Sequence, residues 1–571
     1  MRKLIAIDLA KCVGCNRCIR VCPVEEANVA YIENGDNKVH LVHDKCIACG
    51  ACLLVCRHGS RWYEDDTERF FQDLRKGTPI SLICAPAARA NLQEWDKVLA
   101  LLHQMGARKL YDVSLGADIC IWGHIRYIQK SNSPSIITQP CPAIVDYILL
   151  HRNELISYLS PVQSPMLCAA IYMKKYQGIS DKIAAISPCI AKANEFDQTG
   201  KMISYNVTFA KLEEYIKDHN LRLPAQGRGY DHFDCSLGSI FSMPGGLKEN
   251  VEFILGNKNL SIDKSEGQRA VYGALNAFCK EDNANLPAIF DVLNCSEGCN
   301  LGTGCHHKRT VFEVNRSMDK ARQNALQERD REYFEKQHQE YDKALRLDDF
   351  MRRYYPLTAR GIKVTERDIE DAFEQLGKRD DVARTYDCCA CGSDSCRDMA
   401  VRIAKKINTA ENCILKSHND IRGEHASVVF WQKRSIESIS AVEIDIANIK
   451  EMADRIIVNV ADVDKAVKLY DVLTKDINKI ASNIHMISLN ASIESARAGE
   501  HGRSFSIVAE AIRALAEETQ GATSKISKAS TEAKNALAGI SDMLKTIGEA
   551  IAKSHVHVQE IASSSRGGLD K

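Results

Sequence analysis

The chemistry of this 571-residue chain is concentrated in its 23 cysteines, most of which stand in patterned groups. Cys295 and Cys299 lie in VLNCSEGCNLGTGC, a stretch too rich in glycine and polar residues to be core. Cys141 in TQPCPA and Cys189 in SPCIAK each sit beside a proline that fixes the local backbone, and thiols so far apart can join the pair only after folding. Four thiolates suit one cubane iron–sulfur site, with buried structural cysteines as the plainer alternative. Near the start, Cys12, Cys15, Cys18 and Cys22 form C-x2-C-x2-C-x3-C followed by Pro23, and Cys46, Cys49, Cys52 and Cys56 repeat that spacing. Three cysteines at such spacing suit the corners of a cube, whereas zinc sites normally take two CxxC pairs per ion. Cys388, Cys391, Cys396 and Cys413 follow C-x2-C-x4-C-x16-C, which reads as a further iron–sulfur set or as a zinc knuckle. Cys84, Cys120, Cys168, Cys235, Cys279, Cys305 and Cys389 are left over, and no cysteine follows Cys413.

The elements that must position these thiols show in the hydrophobic pattern. Short apolar runs such as ISLICAP and DKIAAIS read as strands ending near site residues, and they alternate with helical stretches such as EWDKVLALLHQMG. That alternation predicts an α/β domain whose site is built from loops at strand ends. From Arg309 to Tyr355 the chain is highly charged and helix-prone, which predicts a solvated helical connector. Beyond residue 420 apolar or small residues recur with 4,3 spacing at Val442, Ile446, Ile449, Ala453, Ile456, Val460, Val463 and Val467, and again from Ile526 through Ala529, Ala533, Ala536, Ile540, Met543 and Ile547. Such heptads commit both segments to a coiled coil, with Gly499 and Gly502 at the turn between them. Each arm spans about 100 Å at 1.5 Å per residue. A two-helix hairpin cannot bury that seam alone, so a dimeric four-helix bundle is expected.

Size and charge set the outer limits. The length calls for three or more domains, and the 45% hydrophobic content suffices for ordinary cores. Equal counts of 75 acidic and 75 basic residues provide no global field for nucleic acid or anionic lipid. No apolar run reaches the roughly 18 residues of a membrane span, and the opening MRKLIAIDLAKC is broken by Asp8 and reads as a strand, so a cytoplasmic protein without membrane insertion is expected. So many cysteines in such a compartment point to metal binding.

The first 60 residues resemble a two-cluster bacterial ferredoxin, in which the fourth cysteine of each run serves the other cluster. The resemblance implies one [4Fe-4S] cluster on Cys12, Cys15, Cys18 and Cys56 and a second on Cys46, Cys49, Cys52 and Cys22, with Arg57 in place of the usual second proline. Residues 80 to 310 are similar to the catalytic domain of [FeFe]-hydrogenases. APAAR at 85–89, YDVSLGAD at 111–118, QPCPA at 139–143, QSP at 163–165, SPCIAK at 187–192, SIFSMPGG at 239–246 and NCSEGC at 294–299 follow the family's order. The resemblance implies an H-cluster: a [4Fe-4S] cluster on Cys141, Cys189, Cys295 and Cys299, with Cys299 bridging to a di-iron unit that carries carbonyl, cyanide and a dithiolate. It further implies that Pro86 and Ala87 line the cyanide side of that unit, that Lys192 donates a hydrogen bond to a cyanide, and that Ser164 of the QSP piece belongs to the site. Departures are as informative. Pro140 stands where active members carry a proton-passing cysteine, His124 and Tyr127 stand at the positions of two proton-path carboxylates, and Ser187 and Leu293 replace methionines. Proline has no proton to pass and a general acid–base step contributes about 10² to 10⁴ in rate, so slow, sensory handling of dihydrogen and protons is expected unless Cys84, Cys120, Cys168 or His124 supplies another relay.

Residues 388–413 look like the small four-cysteine iron–sulfur domain of electron-transfer proteins. LNASIESARAGE at 489–500 and GRSFSIVAEAIRALAE at 502–517 resemble the signalling tip of methyl-accepting chemotaxis receptors, whose hairpin binds a histidine kinase and its coupling protein. Glu494, Arg497 and Ile507 match positions of that interface, while Ser482, Ile484 and His485 depart from the family pattern. The expected organisation is a multidomain α/β plus all-α chain. It comprises a ferredoxin-like domain (1–60), an α/β hydrogenase domain (61–310), a helical connector (311–375), a four-cysteine [4Fe-4S] domain (376–420) and an antiparallel coiled-coil hairpin (421–571) that forms a homodimer. The expected function is a sensory hydrogenase that passes a redox signal to the kinase and exchanges electrons with a redox partner protein. A redox-sensing iron–sulfur protein without a di-iron unit and a metabolic hydrogenase are the alternatives, and Pro140 argues against the second.

Overall fold

A computed structural model describes residues 2–131, 135–138, 140–232, 237–256, 260–327, 329–357 and 361–566. Cys235 lies outside them. The chain divides into two compact units, Met1–Ser417 and His418–Lys571.

The first unit begins with two small antiparallel pairs. Strand β1 (Ile5–Ile7) pairs with β4 (Arg61–Tyr63), and β2 (Asn28–Glu33) pairs with β3 (Asp36–Leu41) through a two-residue Asn34-Gly35 turn. Both turn residues have positive φ, +53° and +85°, the conformation that a tight hairpin between right-twisted strands requires. Two short helices, Arg17–Val21 and Ala51–Val55, each follow a left-handed residue, Asn16 or Gly50, so the repeated cysteine spacing becomes a repeated turn-helix unit.

Two parallel sheets form the centre. One has the order β6-β5-β8-β9, with β5 at Ile80–Cys84, β6 at Leu110–Asp112, β8 at Lys182–Ser187 and β9 at Tyr205–Thr208. The other has the order β10-β11-β7, with β7 at Ile136–Ile137, β10 at Ile262–Glu266 and β11 at Ile289–Leu293. Strands β5 and β11 are buried along their whole length, as expected where helices cover both faces of a parallel sheet. The apolar runs thus become strands as the pattern predicts. Their C-terminal ends converge and deliver Pro86 after β5, Cys141 after β7, Cys189 after β8 and Cys295 after β11. Helix α1 (Val113–Lys130) follows β6 and is capped by the Asp112 side chain, which accepts from Ser114 N at 2.9 Å. It packs against α3 (Pro165–Ile171), while α2 (Pro142–His151) and α4 (Lys192–Gln198) start beside Cys141 and Cys189.

The charged segment after residue 309 is less solvated than its composition suggests. Its helices Val311–Leu326 and Arg331–Ala344 bury one face each, with Met318 and Phe334 almost closed to solvent. Trp122 Nε1 donates to Asp342 Oδ1 at 2.9 Å, and Arg322 pairs with Glu249. Charge density conceals such a helix because its apolar residues occupy only a narrow stripe. Downstream, α5 (Cys396–Ala404) packs on helix Glu366–Gln375 through Met399, Ala400, Ile403, Phe373 and Ala372.

Two long helices, α6 (Ile414–Arg497) and α7 (Arg503–Arg566), account for nearly all of the second unit and are joined by the turn Gly499–Gly502. They lie side by side in opposite directions: Thr523 Oγ1 donates to Asn478 Oδ1 at 3.2 Å, and Lys534 pairs with Asp471. The buried positions recur every seven residues but are mostly small. They are Ala453, Val467, Thr474, Ala481, Ser488 and Ser495 on α6, and Ala509, Ala516, Thr523, Ser530 and the larger Leu544 on α7. Large members of the predicted seams, such as Ile456, Val463, Ile526, Met543 and Ile547, remain exposed. Small side chains let two backbones approach closely, so they take the contact within the chain and leave the bulky residues on its outside.

Candidate functional site

The loops at the strand ends enclose a cavity of about 80 Å³. Cys141, Cys189, Cys295 and Cys299 all line it, together with Pro86, Pro140, Lys192 and Leu293. The four distant cysteines are therefore brought together. Each is held by its turn. Ser187 Oγ donates to Asn206 Oδ1 at 2.6 Å, and Asn206 Nδ2 donates to the Cys189 carbonyl at 3.0 Å. Cys299 N donates to the Ser242 carbonyl at 2.8 Å. Gly298, with φ of +64°, carries the chain past Ser242 and Met243 so closely that any Cβ would collide with their backbone. This is the role of glycine in the NCSEGC turn.

Burial pushes all four thiols up, Cys189 and Cys299 to about 12, and charge on Cys141 or Cys189 would further raise both Cys295 and Cys299. Such a set becomes a thiolate set only around a cation, so the donor chemistry fits a metal cluster. Among the described residues, no three His, Cys, Asp or Glu side chains converge tightly enough for a single metal ion. Tetrahedral zinc with Zn–S of about 2.3 Å needs sulfurs roughly 4 Å apart, whereas a cubane separates its ligands more widely.

Lys192 is the cation of the cavity wall. Its side chain is 7% exposed and its Nζ donates to Glu195 Oε2 at 2.6 Å, to the Pro140 carbonyl at 3.1 Å and to Ser164 Oγ at 3.2 Å. Burial lowers its proton affinity, but Glu195, Cys189 and Cys299 outweigh burial and keep it charged. Pro86 and Lys192 face the cavity. Ala87 and Ser164 are fully buried one layer behind it, with the Ala87 carbonyl accepting from Asn91 Nδ2 at 2.9 Å. Glu195, Asn206, Asp291 and Asn294 were not singled out from sequence. Only Glu195, in ANEFD after SPCIAK, and Asn294, beside Cys295, lie close enough to the cysteine motifs for sequence to have suggested them.

The ferredoxin-like part meets this site directly. Charges on Cys22, Cys46 and Cys52 each raise Cys49, which places Cys22 with the second run, and charges on Cys12, Cys15 and Cys52 raise Cys18. Tyr272, pushed up chiefly by burial, feels Cys49 and Cys22 on one side and Cys141 and Cys295 on the other, and its hydroxyl donates to Asn294 Oδ1 at 2.7 Å. A Cβ on Gly50 would strike Thr303, so the two loops are in close contact. At the far side of the ferredoxin-like part, Ala30 N donates to the Ile407 carbonyl at 3.1 Å and Lys405 pairs with Glu25 at 2.7 Å. Asn412 Nδ2 donates to Asn37 Oδ1 at 3.3 Å, and Asn37 Nδ2 donates to the Gly14 carbonyl at 2.6 Å, next to Cys15. Cys391, Cys396 and Cys413 share one apolar cluster, whereas Cys388 is exposed. Glu494, Arg497 and Ile507 are all exposed near the turn of the long helices.

Comparison with known families bears on three segments. Residues 4–57 match a 4Fe-4S dicluster domain, residues 78–289 the C-terminal domain of the iron-only hydrogenase large subunit, and residues 443–567 the methyl-accepting chemotaxis protein signalling domain. The hydrogenase match ends before Cys295. Iron hydrogenase 1 of Clostridium pasteurianum is 24% identical over 300 residues, covering 43% of this chain and 50% of that protein. Methyl-accepting chemotaxis protein CtpL of Pseudomonas aeruginosa is 38% identical over 85 residues, covering 14% of this chain and 13% of that protein. The chain thus spans half or less of the length of these relatives. The [FeFe]-hydrogenase HydA1 from Chlamydomonas reinhardtii superposes with a TM-score of 0.39 at 15% identity, over 51% of this chain and 99% of that one. No helix among the described residues is long and apolar enough to cross a membrane.

Proposed function

An iron-only hydrogenase large-subunit domain, a 4Fe-4S dicluster domain and a methyl-accepting chemotaxis signalling domain share this chain, and from that premise we propose that it is a cytoplasmic dihydrogen sensor. In this reading the four-cysteine cavity would hold an H-cluster, the two ferredoxin-like cysteine sets would each hold a [4Fe-4S] cluster, and Cys388, Cys391, Cys396 and Cys413 would hold a further one, which together would supply one-electron carriers between the cavity and the long helices. The signalling helices then alter the activity of a histidine kinase through its coupling protein.

The observation that carries the proposal is the series of side-chain contacts that links the cysteine groups from the cavity to the last cysteine set. Tyr272 and the Gly50–Thr303 contact join the cavity to the Cys22, Cys46, Cys49 and Cys52 group, and Asn37 and Asn412 join the Cys15 loop to the last cysteine set. Cys413 immediately precedes Ile414, the first residue of α6. A change of one charge beside a helix N-terminus is worth roughly 0.3–1 kcal/mol, enough to shift a nearly balanced pair of states.

The iron–sulfur clusters supply one-electron storage and the di-iron unit supplies dihydrogen binding; the chain's own residues supply the rest. Cys141, Cys189, Cys295 and Cys299 would hold the [4Fe-4S] cluster, and Cys299 would also serve the di-iron unit. Lys192, fixed by Glu195 and Ser164, presents a desolvated cation to an anionic ligand in the cavity. Pro140 and Leu293 on the cavity wall exclude water and offer no exchangeable proton, which favours slow turnover and a detector rather than a producer. The exposed large residues of α6 and α7 give a second copy an apolar face to cover, which makes a four-helix bundle of two coiled-coil hairpins. Glu494, Arg497 and Ile507 at its tip are the surface for the kinase and coupling protein.

Infrared spectroscopy of the matured protein under argon and under dihydrogen tests the reading. Carbonyl and cyanide bands that shift with the gas are expected. Their absence would leave an iron–sulfur redox sensor without a di-iron unit.

A further inference from the structure

A buried tyrosine reaches one of the cavity cysteines through a single amide. Helix Gln268–Phe278 starts against the NCSEGC turn. Just before it Gly267, with φ of +90°, donates its N–H to the Leu293 carbonyl at 3.1 Å, and a Cβ there would stand 2.9 Å from Ser296 Oγ. This contact fixes the helix beside the cavity. On it Tyr272 is 5% exposed, and its hydroxyl donates to Asn294 Oδ1 at 2.7 Å. Asn294 is itself fully buried, and the Nδ2 of the same side chain donates to Cys295 Sγ at 3.8 Å. Tyr147 of α2 holds the Tyr272 ring edge-on, with centroids 4.6 Å apart. Asn294 and Cys295 line the cavity, and the tyrosine stands behind them.

The chemistry of the three groups fixes which way the amide points. A phenol shut away from water keeps its proton and needs an acceptor, which the amide oxygen provides. A sulfur bonded to iron accepts hydrogen bonds and donates none. Turning the amide round would set Oδ1 against that sulfur and the two Nδ2 protons against the phenol, at the cost of both bonds. The phenol thus holds the amide, and the amide addresses the sulfur.

We propose that Tyr272 is a positioning residue that sets the reduction potential of the iron–sulfur cluster on Cys141, Cys189, Cys295 and Cys299, by locking the Asn294 amide with its N–H toward the Cys295 sulfur. The inference rests on those four cysteines holding a cluster and not on the di-iron unit. One added electron makes the ligand sulfurs more negative, so a donor at Cys295 stabilises the reduced state more than the oxidised one and raises the potential. Tyr272 also belongs to the apolar cluster that contains Cys52 and Cys141, with Cys22, Cys46 and Cys49 packed against it, and so stands where the cavity meets the ferredoxin-like part. A raised potential keeps an electron at the cavity side of that boundary. The Tyr272–Asn294 pair therefore decides how reducing the cavity must become before an electron passes on.

The test uses the full-length protein, purified anaerobically with its clusters, as wild type, Tyr272→Phe, Asn294→Ala, the double variant and Tyr147→Phe, each checked for iron content and thermal stability. Redox titration followed by paramagnetic resonance gives the potentials, and the signal of the cavity cluster is the one that Cys295→Ala lacks. Tyr272→Phe should move the reduction equilibrium about tenfold toward the oxidised form, a midpoint lower by about 59 mV for one electron. Asn294→Ala should lower it at least as far, and the double variant should match Asn294→Ala, because the phenol acts through the amide. Tyr147→Phe removes a hydroxyl from the same aromatic pair without touching Asn294, and should keep the wild-type potential. A wild-type potential in Tyr272→Phe, or single shifts that add in the double variant, overturns the inference. A wild type without the cavity-cluster signal overturns the cluster reading, and the tuning with it.

Discussion

Replacing Lys192 by methionine keeps most of its volume but removes the ammonium. Glu195 is then left with its carboxylate 3% exposed and without the partner 2.6 Å away. Removing one member of a buried ion pair typically costs about 3–5 kcal/mol, because the surviving charge is uncompensated. At about 1.4 kcal/mol per tenfold change, the folding equilibrium of the first unit should fall by roughly two to three and a half orders of magnitude. Replacing both partners, as in Lys192→Met with Glu195→Leu, removes the stranded charge as well, and such double replacements of buried pairs are often close to neutral. The double variant should therefore lie within about 2 kcal/mol of wild type although the single losses sum to about 6 kcal/mol or more, a coupling of at least about 4 kcal/mol. Anaerobic urea titrations of wild type, both single variants and the double variant, followed by the fluorescence of buried Trp122, measure the cycle. Losses that simply add would show that the two side chains do not depend on each other, and the assignment of Lys192 as a held cation would fall with them.

Other consequences are open to simpler measurements. Burial pushes Asp146 up to about 6, against about 3.9 in an unfolded chain, so the folded state binds this proton more tightly; the associated stability is present below pH 4 and lost, by about 3 kcal/mol, as pH rises through 6. Asp146→Asn should flatten that part of the stability profile, and an unchanged slope would contradict it. Gly116→Ala places a Cβ 2.7 Å from Ala169 N and against the Pro165 carbonyl and should cost about 1–3 kcal/mol, whereas Gly273→Ala, with no atom within 4 Å of its new Cβ, should not destabilise the fold; thermal melts compare the two. Ala516→Leu puts a bulky side chain into the small-residue contact of the long helices and should cost about 1–3 kcal/mol in their unfolding followed by far-ultraviolet circular dichroism. Asn37→Ala removes both hydrogen bonds between Gly14 and Asn412, and magnetic coupling between the clusters on either side should weaken in paramagnetic resonance spectra.

Much of this was legible from residue spacing. The paired ferredoxin-like cysteine runs, the apolar strand segments and the seven-residue repeat each encode local geometry, and the strand ends bring Cys141, Cys189, Cys295 and Cys299 to one cavity. What spacing cannot show is which surface a repeating pattern closes against. The heptads on α6 and α7 predicted a seam of apolar or small residues, and within the chain its small members such as Ala481, joined by Ala509 and Ala516 outside the predicted positions, make the contact because only small side chains allow the close approach, while large members such as Ile456 and Met543 stay exposed. The charged helices at 311–344 concealed their buried stripe for a related reason. Partnerships across the fold were invisible altogether: Asn412 meets Asn37 across 375 positions of sequence, and Trp122 donates to Asp342 on a distant helix. Lys192 was identified by motif, but its counter-ion Glu195, one helical turn onward, looks like any solvent-facing acid until the fold buries it.

The electron route is tried most directly by paramagnetic resonance of the matured protein held under dihydrogen without any other reductant, alongside Cys413→Ser. The proposal predicts that dihydrogen alone produces the signal of a reduced [4Fe-4S] cluster that Cys413→Ser lacks. A wild-type spectrum in which every cluster except that one becomes reduced would show that electrons stop short of the residue preceding Ile414, and the link from gas to signalling helix would be contradicted.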